Sequence, residues 1–263
     1  VHDCLPERYG VPDSLNRLRL RWLTGARSHL AVSADTANDL EALLRKRSSE
    51  IPWCHSAPAE LFATTVVDPL SERLWRQLQS RAGLQPPYVL LPATSSIGSY
   101  KNPEVVAEAL AVPDLAALQL VMCGVAAERH CQQLETHFPH LQGRCLAAGF
   151  TDLELALAYN HALAVVVPSH REGFGLPAVE AMASGATVLV ADSRGLREAG
   201  GSAALRFNPH RPHELAQLLQ LLLDKDAGWL WPHLRRRSGQ RLAQLHPDVL
   251  GLALLAMARR TSR

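Results

Sequence analysis

The sequence lacks a long apolar run and carries little excess charge. Hydrophobic residues make up 47% of its 263 positions, yet no run approaches the ~20 residues that a membrane-spanning helix needs. The formal net charge is only +2, so a dedicated nucleic-acid partner is not expected. A charged fraction of 20% beside that hydrophobic content indicates a globular chain, and the length exceeds that of a usual single domain.

Cysteine and histidine are present without the spacings typical of disulfide frameworks or metal sites. The five cysteines form no C-x-x-C pair, and their odd number argues against a complete disulfide framework. The twelve histidines form no pair of ligands on one helical face, so neither a metal nor another cofactor is expected. A reducing cytoplasm is the expected location. The D-x-D string at residues 224–226 follows a predicted helix and is interpreted as solvated charge.

One segment in the second half of the chain predicts a ligand-binding loop. The apolar run Ala164–Val167 predicts a buried parallel strand. Gly173 and Gly175 bracket a turn after it, and Pro177 suits the first position of a helix. Residues 187–190 supply the next strand. The loop of this strand–loop–helix–strand unit is therefore expected at the carboxyl edge of the sheet, where α/β folds bind ligands.

The same segment carries two glutamates, Glu172 and Glu180. Glycines allow a ligand to approach the backbone closely, and the free N–H groups of a helix start favour an anion such as phosphate. In this interpretation Glu172 faces the group attached to the phosphate. Glu180, predicted in the first helical turn, accepts hydrogen bonds from a vicinal diol such as a ribose. The alternative is that Glu180 only complements the helix dipole and that Glu172 is a solvated loop residue.

The whole string REGFGLPAVEAMASG, residues 171–185, resembles the E-x7-E signature of retaining glycosyltransferases of the GT-B fold, in the large family 4. The resemblance implies that Glu172 is a catalytic residue in contact with the donor sugar. It also implies that Glu180 binds the ribose of the nucleotide. The donor diphosphate is then expected on the backbone of the turn, at Gly173, Phe174, Gly175 and Leu176.

The resemblance implies further donor-binding residues. Lys101 is expected to reach the donor phosphates, with Asn102 beside it, although an ordinary solvated lysine is the alternative. The family usually has an arginine a few residues earlier, and here the hydroxyls of Thr94 or Ser95 are expected to substitute weakly for it. Glu198 resembles the glutamate of the family's proline–glutamate step and is expected to line the interdomain cleft. The proline of that step is replaced by arginine.

Strands predicted at 88–92, 118–124 and 204–207 alternate with helices, which indicates an α/β fold with a doubly wound, Rossmann-like parallel sheet. The resemblance implies that residues 87–245 form the C-terminal, nucleotide-sugar-binding domain of a GT-B enzyme. Residues 246–263 are expected to form a helix that crosses back to the N-terminal domain.

Residues 1–86 resemble the end of the N-terminal, acceptor-side domain and the interdomain linker. The chain is therefore expected to be a fragment with a truncated N-terminal domain, whose missing part would be a partner. His2 is expected near the donor sugar and is a second candidate catalytic residue. A solvated terminal histidine is the alternative.

The implied activity is transfer of a sugar, with retention and without a metal, from a nucleotide-sugar donor to a glycan or lipid-linked acceptor. Such a reaction belongs to polysaccharide or lipopolysaccharide synthesis. Peripheral contact with the inner face of the membrane is an alternative to a free cytoplasmic location, because Arg235, Arg236 and Arg237 could touch anionic headgroups. Two other functions stay open: a nucleotide-sugar-binding domain without transfer, and another GT-B-fold enzyme such as a nucleotide-sugar epimerase. Little turnover is expected from the fragment alone.

Overall fold

Six parallel strands form the central sheet of the protein, seen in a computed structural model. The structure describes residues 1–5, 14–45, 51–64, 69–92, 95–245 and 247–261. The strands are β1 (Tyr88–Leu91), β2 (Gln119–Cys123), β3 (Cys145–Ala148), β4 (Ala164–Val167), β5 (Val188–Ala191) and β6 (Leu205–Phe207). Their order across the sheet is β3-β2-β1-β4-β5-β6, with parallel pairing throughout. The predicted doubly wound parallel sheet is confirmed.

The central strands follow from their composition. β1, β4 and β5 are fully buried and consist almost entirely of valine, leucine and alanine, as strands covered on both faces require. The sequence did not predict β3, because Cys145–Ala148 has no β-branched residue and is only partly buried at three of its four positions.

Helices cover the sheet and the N-terminal part of the chain, a name used here for residues 1–5, 14–45 and 51–56. They are α1 (Ser14–Gly25), α2 (Ala34–Leu44), α3 (Glu60–Thr64), α4 (Pro69–Ala82), α5 (Pro103–Ala109), α6 (Ala127–His137), α7 (Asp152–His161), α8 (Leu176–Ala183), α9 (Arg194–Gly200), α10 (Pro212–Leu223), α11 (Leu230–Ala243) and α12 (Pro247–Thr261). Helix α5 packs against α10, whereas α7, α9 and α11 pack against α8. Crossovers between parallel strands are right-handed as a rule, and here they run in both directions from β1, so the two groups of helices are expected on opposite faces of the sheet.

The N-terminal part has a small core of its own. Its buried residues include Leu23, Ala31, Leu40 and Ile51. Three backbone segments lie side by side here: the Val32 amide donates to the Val1 carbonyl, and a parallel bridge joins Ala31 to Trp53. This arrangement brings the start of the chain next to the sheet domain.

The last helix, α12, lies against the N-terminal part. Leu250, Leu254 and Met257 line a cavity of about 440 Å³ together with residues of α1 and of the 28–32 segment. Outside this contact α12 remains apolar, with Leu252 and Leu255 exposed. None of the helices in the described part of the chain has the length and apolar character required to cross a membrane.

The three arginines of α11 differ in their surroundings. Arg235 and Arg236 are exposed, and Arg237 donates to the Ser202 carbonyl at 3.2 Å. Their contact with lipid headgroups stays a prediction. In the D-x-D string, the Asp224 carboxylate accepts from the Asp226 amide and so caps the short 3-10 helix that follows α10.

Candidate functional site

The candidate site lies where the strand order reverses. The loop after β1 and the loop after β4 meet there at the carboxyl edge of the sheet, because β1 and β4 are neighbours and their crossovers run in opposite directions. The His170 amide donates to the Tyr100 carbonyl at 2.8 Å and joins the two loops directly. All sequence-predicted residues of the two loops therefore lie at one edge, apart from Thr94, which falls outside the described residues.

Helix α8 begins directly after the glycine turn. Gly175 is its N-cap with φ of 110°, a left-handed conformation that favours glycine, and this residue has no side chain with which to cap the helix. A Cβ at Gly175 would also lie 2.6 Å from Leu196 Cδ2. The helix starts at Leu176, so Pro177 is its second residue and Glu180 lies in the second turn instead of the predicted first. The predicted binding of an anion at this helix start is untested.

Lys101 and Glu172 form an ion pair across the two loops. Lys101 Nζ lies 2.6 Å from Glu172 Oε1, and both side chains are largely buried. Burial alone would lower the pKa of Lys101, but the Glu172 carboxylate reverses that effect and holds it above its ordinary value. Ser169 Oγ donates to the same Glu172 oxygen at 2.7 Å. The predicted phosphate-binding cation and the predicted sugar-binding carboxylate are thus partners of each other.

Little space remains beside this pair. A cavity of about 10 Å³ lies there, lined by Ser95, Lys101, Glu172 and Pro177 among others. Ser95 and Lys101 line the same cavity, and the predicted contact of the Ser95 hydroxyl with phosphate is untested. Any anion that pairs with Lys101 here competes with the Glu172 carboxylate.

Asn102 holds the neighbouring loops together. It is buried and has a left-handed backbone conformation with φ of 51°. Its Nδ2 donates to the Pro209 carbonyl at 2.9 Å and to the Pro168 carbonyl at 3.4 Å, and so links the loops after β1, β4 and β6. The amide nitrogen is used within the protein, and its predicted contact with a donor remains untested.

The glycine turn lies beneath the N-terminal part of the chain. The Gly173 carbonyl accepts hydrogen bonds from Ser33 Oγ and, at 3.1 Å, from Thr36 Oγ1. A Cβ at Gly173 would overlap the His2 carbonyl oxygen, so only glycine permits this approach. The backbone of His2 is thereby brought to the predicted motif, while its side chain is exposed.

Arg171 ties the motif to helix α2. Its Nη2 donates to Asp39 Oδ1 at 2.9 Å and lies 3.6 Å from Asp35 Oδ1. Both carboxylates are buried. The residue beside Glu172 is therefore fixed by the N-terminal part.

A second connection runs through Phe174 and Glu198. The Phe174 ring is buried and stacks on the His55 ring with centroids 4.8 Å apart. His55 Nε2 lies 3.1 Å from Glu198 Oε2. The two Glu198 oxygens also accept from the amides of Ala34 and Asp35, each at 2.9 Å, at the start of α2. The carboxylate therefore caps that helix, and its predicted role in donor binding is untested.

These contacts determine the electrostatics of Glu198 and distinguish it from Glu180. Burial alone would raise the pKa of Glu198, but the hydrogen bonds from His55 and from the two amides hold it below its ordinary value. Burial and the nearby charge of Asp152 instead raise the pKa of Glu180. Within the described part of the chain, the Glu180 carboxylate has no hydrogen-bond partner, which suits a residue that awaits a ligand.

Sequence reasoning missed the residues that hold the motif from the N-terminal side. These are Ser33, Thr36, Asp39, His55 and Arg171. Ser33 is the N-cap of α2 and accepts from the Thr36 amide, so a serine before a helical pattern was the one local signal available. In the described residues, no group of three or more histidine, cysteine, aspartate or glutamate side chains is arranged to hold a metal ion.

Two curated relatives share most of this chain. It is 28% identical over 240 residues to the serotype-specific mannosyltransferase WbdA of Escherichia coli, a match that covers 86% of this chain and 29% of WbdA. It is 31% identical over 206 residues to the D-inositol 3-phosphate glycosyltransferase of Xylanimonas cellulosilytica, which covers 74% of this chain and 49% of the relative. The chain thus spans half or less of the length of these relatives.

Two solved structures have the same fold. The glycosyltransferase from Rickettsia africae superimposes with a TM-score of 0.74 at 15% identity, covering 95% of this chain and 67% of that one. Anabaena Alr3699/HepE in complex with UDP-glucose gives 0.71 at 18% identity, covering 96% and 70%. The likeness shows the fold, that of GT-B glycosyltransferases. Residues 80–241, more than half of the chain, match the family model described as glycosyl transferases group 1, and the chain belongs to that family.

Proposed function

We propose that the chain is the donor-binding part of a retaining glycosyltransferase that uses a nucleotide-sugar donor. The observation that supports this most directly is the convergence of Lys101, Glu172 and the uncapped start of α8 at the strand-order reversal. Glu180 lies one turn further along the same helix, with a half-buried carboxylate. Together these groups offer a cation, helix N–H groups and two carboxylates to one diphosphate-linked ligand.

In the proposed reaction the donor diphosphate lies at the start of α8. Lys101 leaves Glu172 and neutralises the phosphate charge that develops as the bond to the sugar breaks. Glu172 then holds hydroxyl groups of the donor sugar, and Glu180 holds the ribose. The acceptor attacks on the face from which the diphosphate leaves, which gives retention.

Positive charge at the leaving group comes from Lys101 and the helix dipole in this proposal, so no metal is required. The acceptor in this proposal is a glycan or lipid-linked sugar. The names of the relatives, a mannosyltransferase and a D-inositol 3-phosphate glycosyltransferase, support sugar transfer as the reaction class. The bound UDP-glucose of Alr3699/HepE supports a nucleotide sugar as the donor class. The alternative function, a domain that binds a nucleotide sugar without transferring it, uses the same site. Only a measurement of turnover distinguishes it from the transferase.

The proposal is tested by calorimetry with uridine, guanosine, adenosine and thymidine diphosphates. We expect one of them to bind, and Glu180→Ala to weaken that binding by about thirty-fold, or about 2 kcal/mol, because charge-assisted hydrogen bonds to the ribose are lost. Glu108→Ala is the control, since Glu108 is an exposed glutamate on α5. Equal affinity of the Glu180 variant and the unmodified chain would refute the ribose role.

A further inference from the structure

Two aromatic rings contact the imidazole of His55. The Phe174 ring stacks on it with centroids 4.8 Å apart and an angle of 16° between the planes. The Trp53 ring lies 4.9 Å away, tilted by 42°. Trp53 and His55 belong to the N-terminal part, whereas Phe174 belongs to the glycine turn. The imidazole therefore joins the N-terminal part to the turn through ring contacts.

Both ring nitrogens of His55 have polar partners. Nε2 lies 3.1 Å from Glu198 Oε2, and Nδ1 lies 3.4 Å from Arg241 Nη2. Arg241 is held in its turn by the carbonyl groups of Ala199 and Glu198, to which its guanidinium donates. These partners come from α9 and α11. The edge of the ring is thus fixed by two helices that do not belong to the N-terminal part.

The two polar partners select one tautomer of His55. A guanidinium only donates hydrogen bonds, so Nδ1 must accept from Arg241 and carries no proton. The Glu198 carboxylate is ionised at neutral pH, because hydrogen bonds from His55 and from two backbone amides hold its pKa below the ordinary value. An ionised carboxylate only accepts, so Nε2 carries the proton. His55 is therefore the neutral Nε2–H form, which makes both contacts at once.

The Phe174 ring is only 3% exposed and is attached to the backbone proposed to hold the donor diphosphate. Phenylalanine has only two side-chain torsions, so a fixed ring restricts the position of its own backbone. The next residue, Gly175, accepts at its carbonyl from the amides of Ala178 and Val179, at 3.0 and 3.4 Å, and so closes the first turn of α8. The position of the Phe174 ring therefore affects both the turn and the helix start.

We infer that His55 is a positioning residue of the donor site: its ring, held at both nitrogens, fixes Phe174 and with it the glycine turn. The inference rests on the proposed function, because it concerns the turn proposed for the diphosphate. It extends that function to a residue outside the E-x7-E string. His55 acts through Phe174 and touches no donor atom in this role.

Calorimetry measures the effect on the site, with uridine diphosphate or whichever of the four diphosphates binds most tightly. His55→Gln keeps an N–H donor for Glu198 but has no ring, so it should weaken binding about five-fold through the lost contact with Phe174. His55→Phe keeps the ring face and should weaken binding by less than about two-fold. The control is His161→Gln, which should leave binding unchanged. His161 is also half-buried and stacks on Trp75, with centroids 4.0 Å apart, but it precedes β4 at the opposite edge of the sheet.

Amide hydrogen exchange reports on the turn without a ligand. The Ala178 and Val179 amides should exchange about five-fold faster in His55→Gln than in His161→Gln, each measured against the amides of β5 in the same sample. A residue that only adds stability would speed exchange in β5 as much as in α8. The tautomer is determined from the long-range ¹⁵N–¹H correlations of the imidazole, with His55→Phe identifying the signal, and the Nε2–H form is expected.

Three results would overturn the inference. They are an Nδ1–H imidazole, equal diphosphate affinity and amide exchange for the glutamine variants of His55 and His161, or weaker diphosphate binding by His55→Phe than by His55→Gln. Phe174→Leu breaks the same ring contact from the other side and replaces His55→Gln if that variant does not fold. If no diphosphate binds the unmodified chain, the proposed function fails, and the exchange comparison alone decides the role of His55.

Discussion

At the residue scale, the ion pair between Lys101 and Glu172 determines how the donor site opens. The two side chains are predicted to grip opposite ends of one donor, yet here they bind each other at 2.6 Å. A largely buried ion pair of this kind competes with any anion that needs the lysine. The free energy needed to break the ion pair therefore reduces the net free energy of diphosphate binding.

Glu172→Gln should change the affinity for the bare nucleoside diphosphate and the affinity for the nucleotide sugar in different ways. The variant retains the shape of the side chain but frees Lys101 from a full charge, so we expect binding of the bare nucleoside diphosphate to tighten by about five-fold. Binding of the corresponding nucleotide sugar should weaken relative to the diphosphate, because the sugar loses a carboxylate partner. Calorimetry with both ligands measures the two changes.

Lys101→Met serves as the companion variant, and it should weaken both ligands because the phosphate contact is common to them. If Glu172→Gln weakened both ligands equally, the exchange of Lys101 between carboxylate and phosphate would be excluded.

At the element scale, helix α9 joins the motif loop to helix α2. A Cβ at Gly195, near its start, would overlap the Glu172 carbonyl oxygen. Glu198, one turn later, caps α2 through the Ala34 and Asp35 amides. One short helix therefore sets both the position of the motif and the docking of the N-terminal part.

Gly195→Ala should destabilise the protein by about 2 kcal/mol. The new Cβ would overlap the backbone oxygen of Glu172, which cannot move aside as the end of a flexible side chain could. Urea unfolding measures the change. Gly239→Ala in α11 is the matched control: nothing lies within 4 Å of its Cβ position, so the same substitution should stabilise by about 1 kcal/mol. Equal effects at the two sites would show that the close approach at Gly195 is absent in solution.

The pH dependence of stability should depend on Glu198. Its pKa is held below the ordinary value of 4.5, so its contribution is fully present above that pH and is lost as the pH falls through the lowered value. Glu198→Gln should therefore unfold more easily than the unmodified chain at neutral pH, by about 1 kcal/mol. The difference should shrink in acid below pH 4.5. A difference that is constant with pH would mean that the charge of Glu198 is irrelevant to the docking of α2.

At the scale of the whole molecule, the N-terminal part covers one side of the motif and α12 contacts that part. The chain spans only 29% of WbdA and 49% of the Xylanimonas relative. More than half of each relative's sequence lies outside the match.

The purified 263-residue chain should accordingly bind a nucleoside diphosphate but transfer little sugar. Release of the nucleoside diphosphate from a nucleotide sugar, followed by chromatography with and without a glycan acceptor, measures this. Robust acceptor-dependent release would show that the chain holds a complete acceptor site.

The sequence by itself determined the parallel sheet and the position of the motif loop within it. Apolar runs such as Ala164–Val167 are local signals, and the glycines and proline after them set the turn and the helix without help from distant residues. The E-x7-E string then indicated a GT-B glycosyltransferase, and the match of residues 80–241 shows the family described as glycosyl transferases group 1.

Only the tertiary structure decided which partners those residues have. Three contacts join residues 71 to 164 positions apart: the ion pair of Lys101 with Glu172, the capping of α2 by Glu198, and the hydrogen bond from Ser33 to the Gly173 carbonyl. A cavity of about 980 Å³ likewise gathers Asp35, Glu104 and Ser193 from three separate segments. Such contacts produce no periodic pattern in the sequence, because they depend on how the loops pack at the ends of the strands.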